Sequence, residues 1–223
     1  MRLTIKWEFI ANDHEKLVFT SEPIEIEKIL PVIEQIEKTG RAQNIQLEDE
    51  TGFLWTKKEI KKYVMASKGE ADQFELYFDG GYVKGSRNGG IGAVLYFQQG
   101  DKKIRYRWNQ ELTDLESNNE AEYRALYFAL SRLNELHSQG IAIKGKRLLI
   151  KGDSQGVLKQ LAGEWPVYDP VFNKWLDRID GLLKILKVTP EFHVIPRKDN
   201  QEADQLATQA INGIRVESRN VVF

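Results

Sequence analysis

Cysteine is absent from this sequence of 223 residues, and proline and histidine are scarce, with 6 and 3 copies. The lack of cysteine excludes disulfides, thiolate metal sites and cysteine nucleophiles. No apolar run approaches the roughly 18 residues that a membrane-spanning helix needs. The N-terminal stretch also lacks a charged region followed by a long apolar segment. We therefore expect a cytoplasmic protein that does not contact a membrane.

Net charge is also nearly absent. The formal charge is −1, so no overall field attracts a polyanion, and any nucleic-acid site must be a local patch. The composition, 41% hydrophobic and 29% charged, is typical of a folded chain rather than a disordered one. The length favours one domain plus a smaller module.

The N-terminal part, residues 1–70, has the pattern of a small α+β module. Two β-rich segments separated by "ANDHE" predict a hairpin. Apolar residues at helical spacing predict a helix over 24–40, in which Pro31 is expected to cause a bend or to mark the true start. A second hairpin is expected over 43–55, followed by a short helix over 56–66.

The polar segment 67–73 predicts a linker. Beyond it, residues 74–212 show the order βββαβααβα. Three strands in a meander, followed by strands that alternate with helices, predict an α/β domain with a mixed five-stranded sheet covered by helices. Residues 213–223 are expected to form a C-terminal tail.

Two aspartates are predicted to lie where strands of this sheet end, which is where sites are usually assembled. Asp79 follows an alternating strand and precedes Gly80 and Gly81, and Asp153 follows "LLIKG". An aspartate at a strand end is more often a turn or capping residue. These two positions alone therefore leave both interpretations open.

Helical phase separates the glutamates of "ESNNEAEYRAL". Glu122 lies on the same helix face as the apolar Leu126 and Leu133 and is expected to point at the sheet. Glu120 fits a capping box with Ser117, so its expected role is structural. Glu116 precedes the cap and is expected to be solvated.

A carboxylate on the apolar side of a helix is costly unless it is paired or bound to a metal. Asp204, like Glu122, is a carboxylate on the apolar side of a predicted helix, in this case the last one, and it is not needed as a cap. Together with Asp79 and Asp153, these acids suggest an all-oxygen site for a hard cation. Mg²⁺ or Mn²⁺ would suit such ligands.

Four segments in order give the chain its resemblance to the ribonuclease H type 1 family. They are "YFDGGYVKG…GGIGAVL", "SNNEAEYRAL", "KGDSQGVLKQL" and "IPRKDNQEADQLA", and the match covers residues 74 to about 212. The resemblance implies the ribonuclease H-like fold, with helices on both faces of the sheet. The N-terminal module lies outside it.

The resemblance implies an endonuclease that hydrolyses the RNA strand of RNA/DNA hybrids by a two-metal-ion mechanism. The implied ligands of two Mg²⁺ or Mn²⁺ ions are Asp79, Glu122, Asp153 and Asp204, and no small-molecule organic cofactor is expected. The implied substrate-binding residues are Gly80, Asn118, Asn119, Ser154, Gln155 and Arg197. Of these, Asn118, Asn119 and Gln155 are expected near the minor groove of the hybrid, where 2′-hydroxyls are displayed.

Three departures from the family pattern affect the details. Many bacterial members carry a histidine in the loop before the last acid, where this chain has Arg197 or Lys198. The basic protrusion of some members is replaced by the nearly neutral "GEWPVYDPVFNKWLDRIDGLL". Lys84-Gly85-Ser86 stands where many relatives have an asparagine that contacts the hybrid. Substrate affinity is therefore expected to come partly from elsewhere.

The N-terminal module offers a local basic patch. Lys57, Lys58, Lys61 and Lys62 repeat at spacings that give one basic helix face, beside Trp55 and Tyr63. This face could simply be solvated, or it could grip the duplex in place of the missing protrusion. Dimerisation or protein docking also stays open for this module.

Two other functions compete with the hybrid-cleaving enzyme. One is a non-catalytic nucleic-acid-binding protein that keeps the fold, and the presence of all four acids favours the enzyme over it. The other is a related exonuclease or transposase-like nuclease. The Asn-Asn segment and "GDSQ" favour the hybrid-cleaving branch.

Overall fold

The computed structural model describes residues 1–12, 15–67 and 71–222. The chain forms two compact units, Met1–Gly69 and Glu70–Phe223. Positions 68–70 of the predicted linker lie outside the described residues. The prediction is wrong at position 67, which ends a helix of the first unit, and at positions 71–73, which already belong to the first strand of the second unit.

The first unit is an antiparallel sheet with two helices. In chain order its elements are β1 (Arg2–Ile10), β2 (Lys16–Thr20), β3 (Ile24–Glu25), α1 (Ile26–Lys38), β4 (Ala42–Asp49) and α2 (Lys57–Ser67). β1 is central and pairs with β2 and β3 along one edge and with β4 along the other. Apolar residues at helical spacing bury one side of each helix against this sheet. The resulting core contains Leu3, Ile5, Ile26, Ile29, Ile33, Leu47, Ile60 and Val64.

Two details of this unit differ from the sequence prediction. α1 begins at Ile26 and continues through Pro31, so the proline does not mark the start of the helix. The predicted second hairpin reduces to a single bridge between Glu48 and Leu54. The reason is a side-chain-capped turn, in which one carboxylate oxygen of Asp49 accepts hydrogen bonds from the backbone N–H groups of Thr51 and Phe53.

The second unit is a mixed sheet between layers of helices. Its elements are β5 (Ala71–Tyr82), β6 (Gly89–Gln99), β7 (Lys102–Leu112), α3 (Asn118–Ser138), β8 (Arg147–Gly152), α4 (Gln155–Leu161), α5 (Pro170–Leu186), β9 (Thr189–Val194), a 3-10 turn (Arg197–Asp199), α6 (Gln201–Ile211) and β10 (Glu217–Val222). The strand order is β10-β7-β6-β5-β8-β9, with β5, β8 and β9 parallel and the other pairs antiparallel. The predicted mixed sheet is confirmed.

Helices α3 and α6 cover opposite faces of this sheet, as predicted. The α6 side is packed especially closely, because a Cβ atom at Gly92 would lie 2.2 Å from the carbonyl oxygen of Ala203. A Cβ atom at Gly90 would lie 2.3 Å from the carbonyl oxygen of Ala207. The backbone of α6 therefore rests directly on β6, and any side chain at these glycines would displace the helix.

The prediction of five strands and a C-terminal tail is wrong. Residues Glu217–Val222 form a sixth strand, β10, which pairs with β7 from Glu217 opposite Trp108 to Val222 opposite Lys103. The buried side chain of Asn109 guides the chain there, since it donates to the carbonyl oxygens of Leu206 and Ile214. None of the described helices is long and apolar enough to cross a membrane.

Candidate active site

Asp79 lies inside β5, opposite Gly92, and not after the end of a strand as predicted. The strand continues because Gly80 and Gly81 stay extended and pair with β6. The parallel pairing of β5 with β8, however, ends at Tyr77. Asp79 therefore still lies at the edge where the parallel part of the sheet ends.

Asp153 directly follows β8 at this same edge, as predicted. Its carboxylate accepts a hydrogen bond from the side-chain amide of Asn200 at 2.8 Å. The same amide donates to the carbonyl oxygen of Phe78 at 2.9 Å. Asn200 is 1% exposed and its own side-chain oxygen has no partner among the described residues. This asparagine therefore fixes Asp153 to the strand that carries Asp79.

Sequence reasoning missed Asn200 as a site residue. It stands at the start of the last helix, where an asparagine is most simply explained as a cap. In the structure it precedes α6 but makes no side-chain capping hydrogen bond. Its position four residues before Asp204 is the one signal in the sequence that could have drawn attention to it.

Glu122 lies in the first turns of α3 and faces the sheet, as its helical phase predicts. Its carboxylate accepts a hydrogen bond from the backbone N–H of Gly80 at 3.2 Å. The contact requires glycine, because a Cβ atom at position 80 would lie 2.4 Å from the carbonyl of Ala121. The close approach of α3 to β5 thus places Glu122 beside Asp79.

Asp79, Glu122 and Asp153 can each offer an oxygen within 4.8 Å of the other two. Burial, followed by the charges of Asp153 and Asp204, raises the pKa of Asp79 to about 7. Burial, followed by the charges of Asp79 and Asp153, raises the pKa of Glu122 to about 9. An all-oxygen group whose negative charges oppose one another fits a hard divalent cation, which would offset both effects.

Asp204, the fourth predicted ligand, is not part of this group of three. It lies half-buried in the first turn of α6, and its Oδ1 accepts a hydrogen bond from Nη2 of Arg197 at 2.5 Å. It is close enough to the group for its charge to raise the pKa of Asp79. The structure therefore places Asp204 at the margin of the cluster, held by an arginine.

The other two glutamates of the segment have structural positions. The Ser117 hydroxyl caps α3 by accepting from the backbone N–H of Glu120 at 3.2 Å. The Glu120 carboxylate reaches back and accepts from the N–H of Glu116 at 2.9 Å, one residue earlier than a capping box predicts. It also lies 3.7 Å from Arg124. Glu116 is exposed, so Glu122 alone of the three glutamates joins the acid cluster.

Four of the six predicted substrate-binding residues lie at the starts of helices, whereas Gly80 lies inside β5 and Arg197 in the 3-10 turn. Asn118 and Asn119 open α3, and their side chains are exposed. Ser154 and Gln155 open α4, directly after Asp153. Across the residues that the structure describes, these four side chains make no hydrogen bonds within the protein. Their polar groups are therefore available to a ligand.

The four predicted lysines of the first unit lie on α2. Lys57 forms an ion pair with Glu37, whereas Lys58, Lys61 and Lys62 are exposed and have no ion pair within the described ranges. At 100° per residue, Lys58 and Lys62 point away from the buried side of the helix. The two aromatic residues that accompany these lysines in the sequence, Trp55 and Tyr63, pack against each other with ring centroids 5.6 Å apart.

Comparison with known proteins gives a family match over the second unit. Residues 77–210, more than half of the chain, match the family described as "Reverse transcriptase-like". The "Uncharacterized protein YpeP" of Bacillus subtilis is 45% identical over 176 residues, which is 79% of this chain and 75% of the relative. That match is longer than the second unit, so it continues into the first.

One further relative and two solved structures match a smaller part of the chain. The "Ribonuclease HI" of Halobacterium salinarum is 33% identical over 136 residues, which cover 61% of this chain and 63% of that relative. The crystal structure of RNase H1 from Halobacterium salinarum has a TM-score of 0.51 at 30% identity and covers 63% of this chain and 98% of that one. A crystal structure of LC11-RNase H1 in complex with RNA/DNA hybrid has a TM-score of 0.50 at 22% identity, covers 63% of this chain and 98% of that one, and shows the same fold.

Proposed function

Because the chain belongs to the ribonuclease H type 1 family over residues 77–210, we propose that it hydrolyses the RNA strand of RNA/DNA hybrids with the help of divalent cations. The observation that carries the proposal is the convergence of Asp79, Glu122 and Asp153, three acids from three separate elements, at one edge of the sheet. A buried group of like charges costs free energy unless the charges are paired or bind a metal. It is most simply explained as a cation site.

The protein's own contribution is to hold these acids before the substrate arrives. The Gly80 N–H fixes Glu122, and Asn200 fixes Asp153. We propose Asp79, Glu122, Asp153 and Asp204 as the ligands of two Mg²⁺ or Mn²⁺ ions. When bound, such ions supply Lewis acidity that activates water and stabilises the departing oxygen of a phosphodiester.

Substrate recognition is proposed to use the polar groups that surround the acids. The exposed amides of Asn118, Asn119 and Gln155 can exchange hydrogen bonds with 2′-hydroxyls and base edges in a wide minor groove. Gly80 is buried against α3, so its proposed part in substrate binding is indirect, through the position of Glu122. Ser154 adds a hydroxyl beside Asp153. Arg197, which is largely exposed, can approach a phosphate. Recognition of this kind depends on the shape of the duplex and on the 2′-hydroxyls of its sugars rather than on base sequence.

The basic face of α2 is proposed as an accessory contact with the hybrid. Because Lys57 is paired with Glu37, the proposal rests mainly on Lys58, Lys61 and Lys62. Exposed lysines that approach phosphates would add salt-dependent affinity without sequence preference. A solvated face, a dimer contact and a protein-docking surface are the competing explanations. A cytoplasmic location stays a prediction from the sequence.

Cleavage of an end-labelled RNA/DNA hybrid tests the main proposal. We expect wild-type protein to cut the RNA strand with Mg²⁺ or Mn²⁺ and not with EDTA, and Asp153→Asn to be inactive. The competing function is a nucleic-acid-binding protein without activity. Hybrid binding with no cleavage under any of these conditions would favour it. Equal cleavage by Asp153→Asn and wild type would show that the acid cluster does not perform the cleavage, and would overturn the main proposal.

A further inference from the structure

Arg197 and Asp204 form an ion pair beside the acid cluster. Nη2 of Arg197 donates to Oδ1 of Asp204 at 2.5 Å. The pair joins the 3-10 turn Arg197–Asp199 to the first turn of α6. Three acids of the site thus face one another, while the fourth has an arginine as its partner.

The charge of Arg197 also acts on the cluster itself. It lowers the pKa of Asp79 and of Glu122, against the larger upward effect of burial on both groups. The guanidinium is therefore close enough to serve as an internal counter-ion for the acids.

The helix that carries Asp204 cannot easily move to change this arrangement. Its backbone rests on Gly90 and Gly92 of β6, where there is no space for even one extra carbon atom. The Asp204 backbone N–H is also bonded to the carbonyl oxygen of Asn200 at 3.1 Å. A change of partner for Asp204 must therefore come from rotation of its side chain or of the exposed Arg197 side chain.

We propose that Arg197 is a positioning residue that competes with a divalent cation for the carboxylate of Asp204. The inference rests on the proposed function, which assigns Asp204 and the three clustered acids as cation ligands. Cation binding at Asp204 then requires the ion pair to open. The Arg197 side chain is 78% exposed, so the pair is weak, and the competition should cost about 2- to 5-fold in cation affinity.

Titration of the full-length chain with MnCl₂ alone, followed by calorimetry, tests this competition without substrate or activity. We expect Arg197→Gln to bind Mn²⁺ about 2- to 5-fold more tightly than wild type. Lys198→Gln is the matched control, since it removes the same charge from the same turn, and Lys198 has no ion pair with Asp204 in the described part of the chain. Its affinity should stay close to that of wild type. Arg197→Lys, which keeps the charge, should fall between wild type and Arg197→Gln.

The Asp204→Asn background supplies a second test. If Arg197 acts through Asp204, the gain from Arg197→Gln should largely disappear when Asp204 is already replaced. An equal gain in both backgrounds, or an equal gain from Lys198→Gln, would show general electrostatics and overturn the proposal. No gain from Arg197→Gln would also overturn it.

Mn²⁺ binding by wild type and by Asp79→Asn distinguishes failure of the proposed function from failure of the Arg197 competition. If wild-type protein binds no Mn²⁺ at millimolar concentration, and Asp79→Asn gives the same heat as wild type, the cation-ligand assignment fails and the competition fails with it. If wild type binds Mn²⁺ and Asp79→Asn does not, the assignment stands. Only the comparison of Arg197→Gln with Lys198→Gln then decides the role of Arg197.

Discussion

The two compact units differ in where their like-charged side chains lie, buried in one and exposed in the other. In the second unit, Asp79 and Glu122 are 8% and 7% exposed, and their negative charges repel each other. In the first unit, Lys58, Lys61 and Lys62 extend into solvent from one helix. Buried like charges cost free energy, whereas exposed ones cost little. The burial of a charge, more than the number of charges, therefore indicates where this molecule needs a ligand.

Among the variants that test this difference between the two units, replacement of Glu122 should have the largest effect, on the rate of hybrid cleavage. We expect Glu122→Gln to lower the rate of hybrid cleavage by at least about 100-fold, since it removes a charged group preorganised at the reacting site. Glu120→Gln is the matched control, because the same amide replaces a carboxylate that serves the helix cap. Cleavage should stay within a few-fold of wild type. Equal losses in the two variants would contradict the division between ligand and cap.

Glu122→Gln should also change how the stability of the metal-free protein depends on pH. The unfolded chain releases the Glu122 proton near the ordinary pKa of 4.5, whereas the folded protein holds it until about pH 9. Stability of wild type in EDTA should therefore fall as pH rises between these values. Glu122→Gln should lose this part of the slope, so its advantage in thermal unfolding should grow with pH. A parallel pH dependence in wild type and Glu122→Gln would contradict the burial of an opposed charge.

Asn200→Ala should have the next largest effect. The substitution leaves the carbonyl oxygen of Phe78 and the carboxylate of Asp153 without their shared donor. We expect about a 10- to 100-fold loss of Mn²⁺ affinity, as for other residues that orient ligands. The free energy of unfolding in urea should fall by about 1–3 kcal/mol. Asn212→Ala, at the exposed end of the same helix, should change neither quantity, and equal effects of the two variants would reject a positioning role for Asn200.

The exposed lysines should give the smallest effect. Joint replacement of Lys58, Lys61 and Lys62 by glutamine should weaken binding of a hybrid to the cation-free protein. It should also reduce the dependence of log affinity on log salt by about 1 for each phosphate that a lysine no longer neutralises. Fluorescence anisotropy over a range of NaCl concentrations measures both quantities. Stability should be unchanged, because these side chains are already in water.

A second triple variant controls for net charge. Lys6→Gln, Lys28→Gln and Lys38→Gln remove the same charge from other parts of the first unit. Their salt dependence should match that of wild type. If the α2 variant also matches wild type, the basic face is only solvated or serves a protein partner.

Sequence reasoning succeeded where the deciding information was local. The direction of Glu122 followed from its phase with Leu126 and Leu133, residues of the same helix. It failed at Asp79, because the alternating apolar pattern of the strand does not continue past Phe78. The structure pairs Gly80 and Gly81 with β6, so the strand continues past the acid.

The remaining features depend on partners that are distant in sequence. Asn200 acquires its role from Phe78 and Asp153, which lie 122 and 47 residues away. The Arg197–Asp204 pair depends on how two side chains turn in space, which spacing does not specify. β10 has too polar a pattern to indicate a strand, and its position follows from pairing with β7.

Asn109 has a practical consequence for the choice of fragment boundaries. It is 6% exposed and bonds to the carbonyl oxygens of Leu206 and Ile214 and to the N–H of Val216. The family match ends at residue 210, before two of these partners. A fragment that ends there would leave the buried Asn109 amide without the partners Ile214 and Val216. It would also leave β7 as an unpaired edge strand, which can pair with other chains and cause aggregation. The last residue of the family match and the last residue of the folding unit are therefore different.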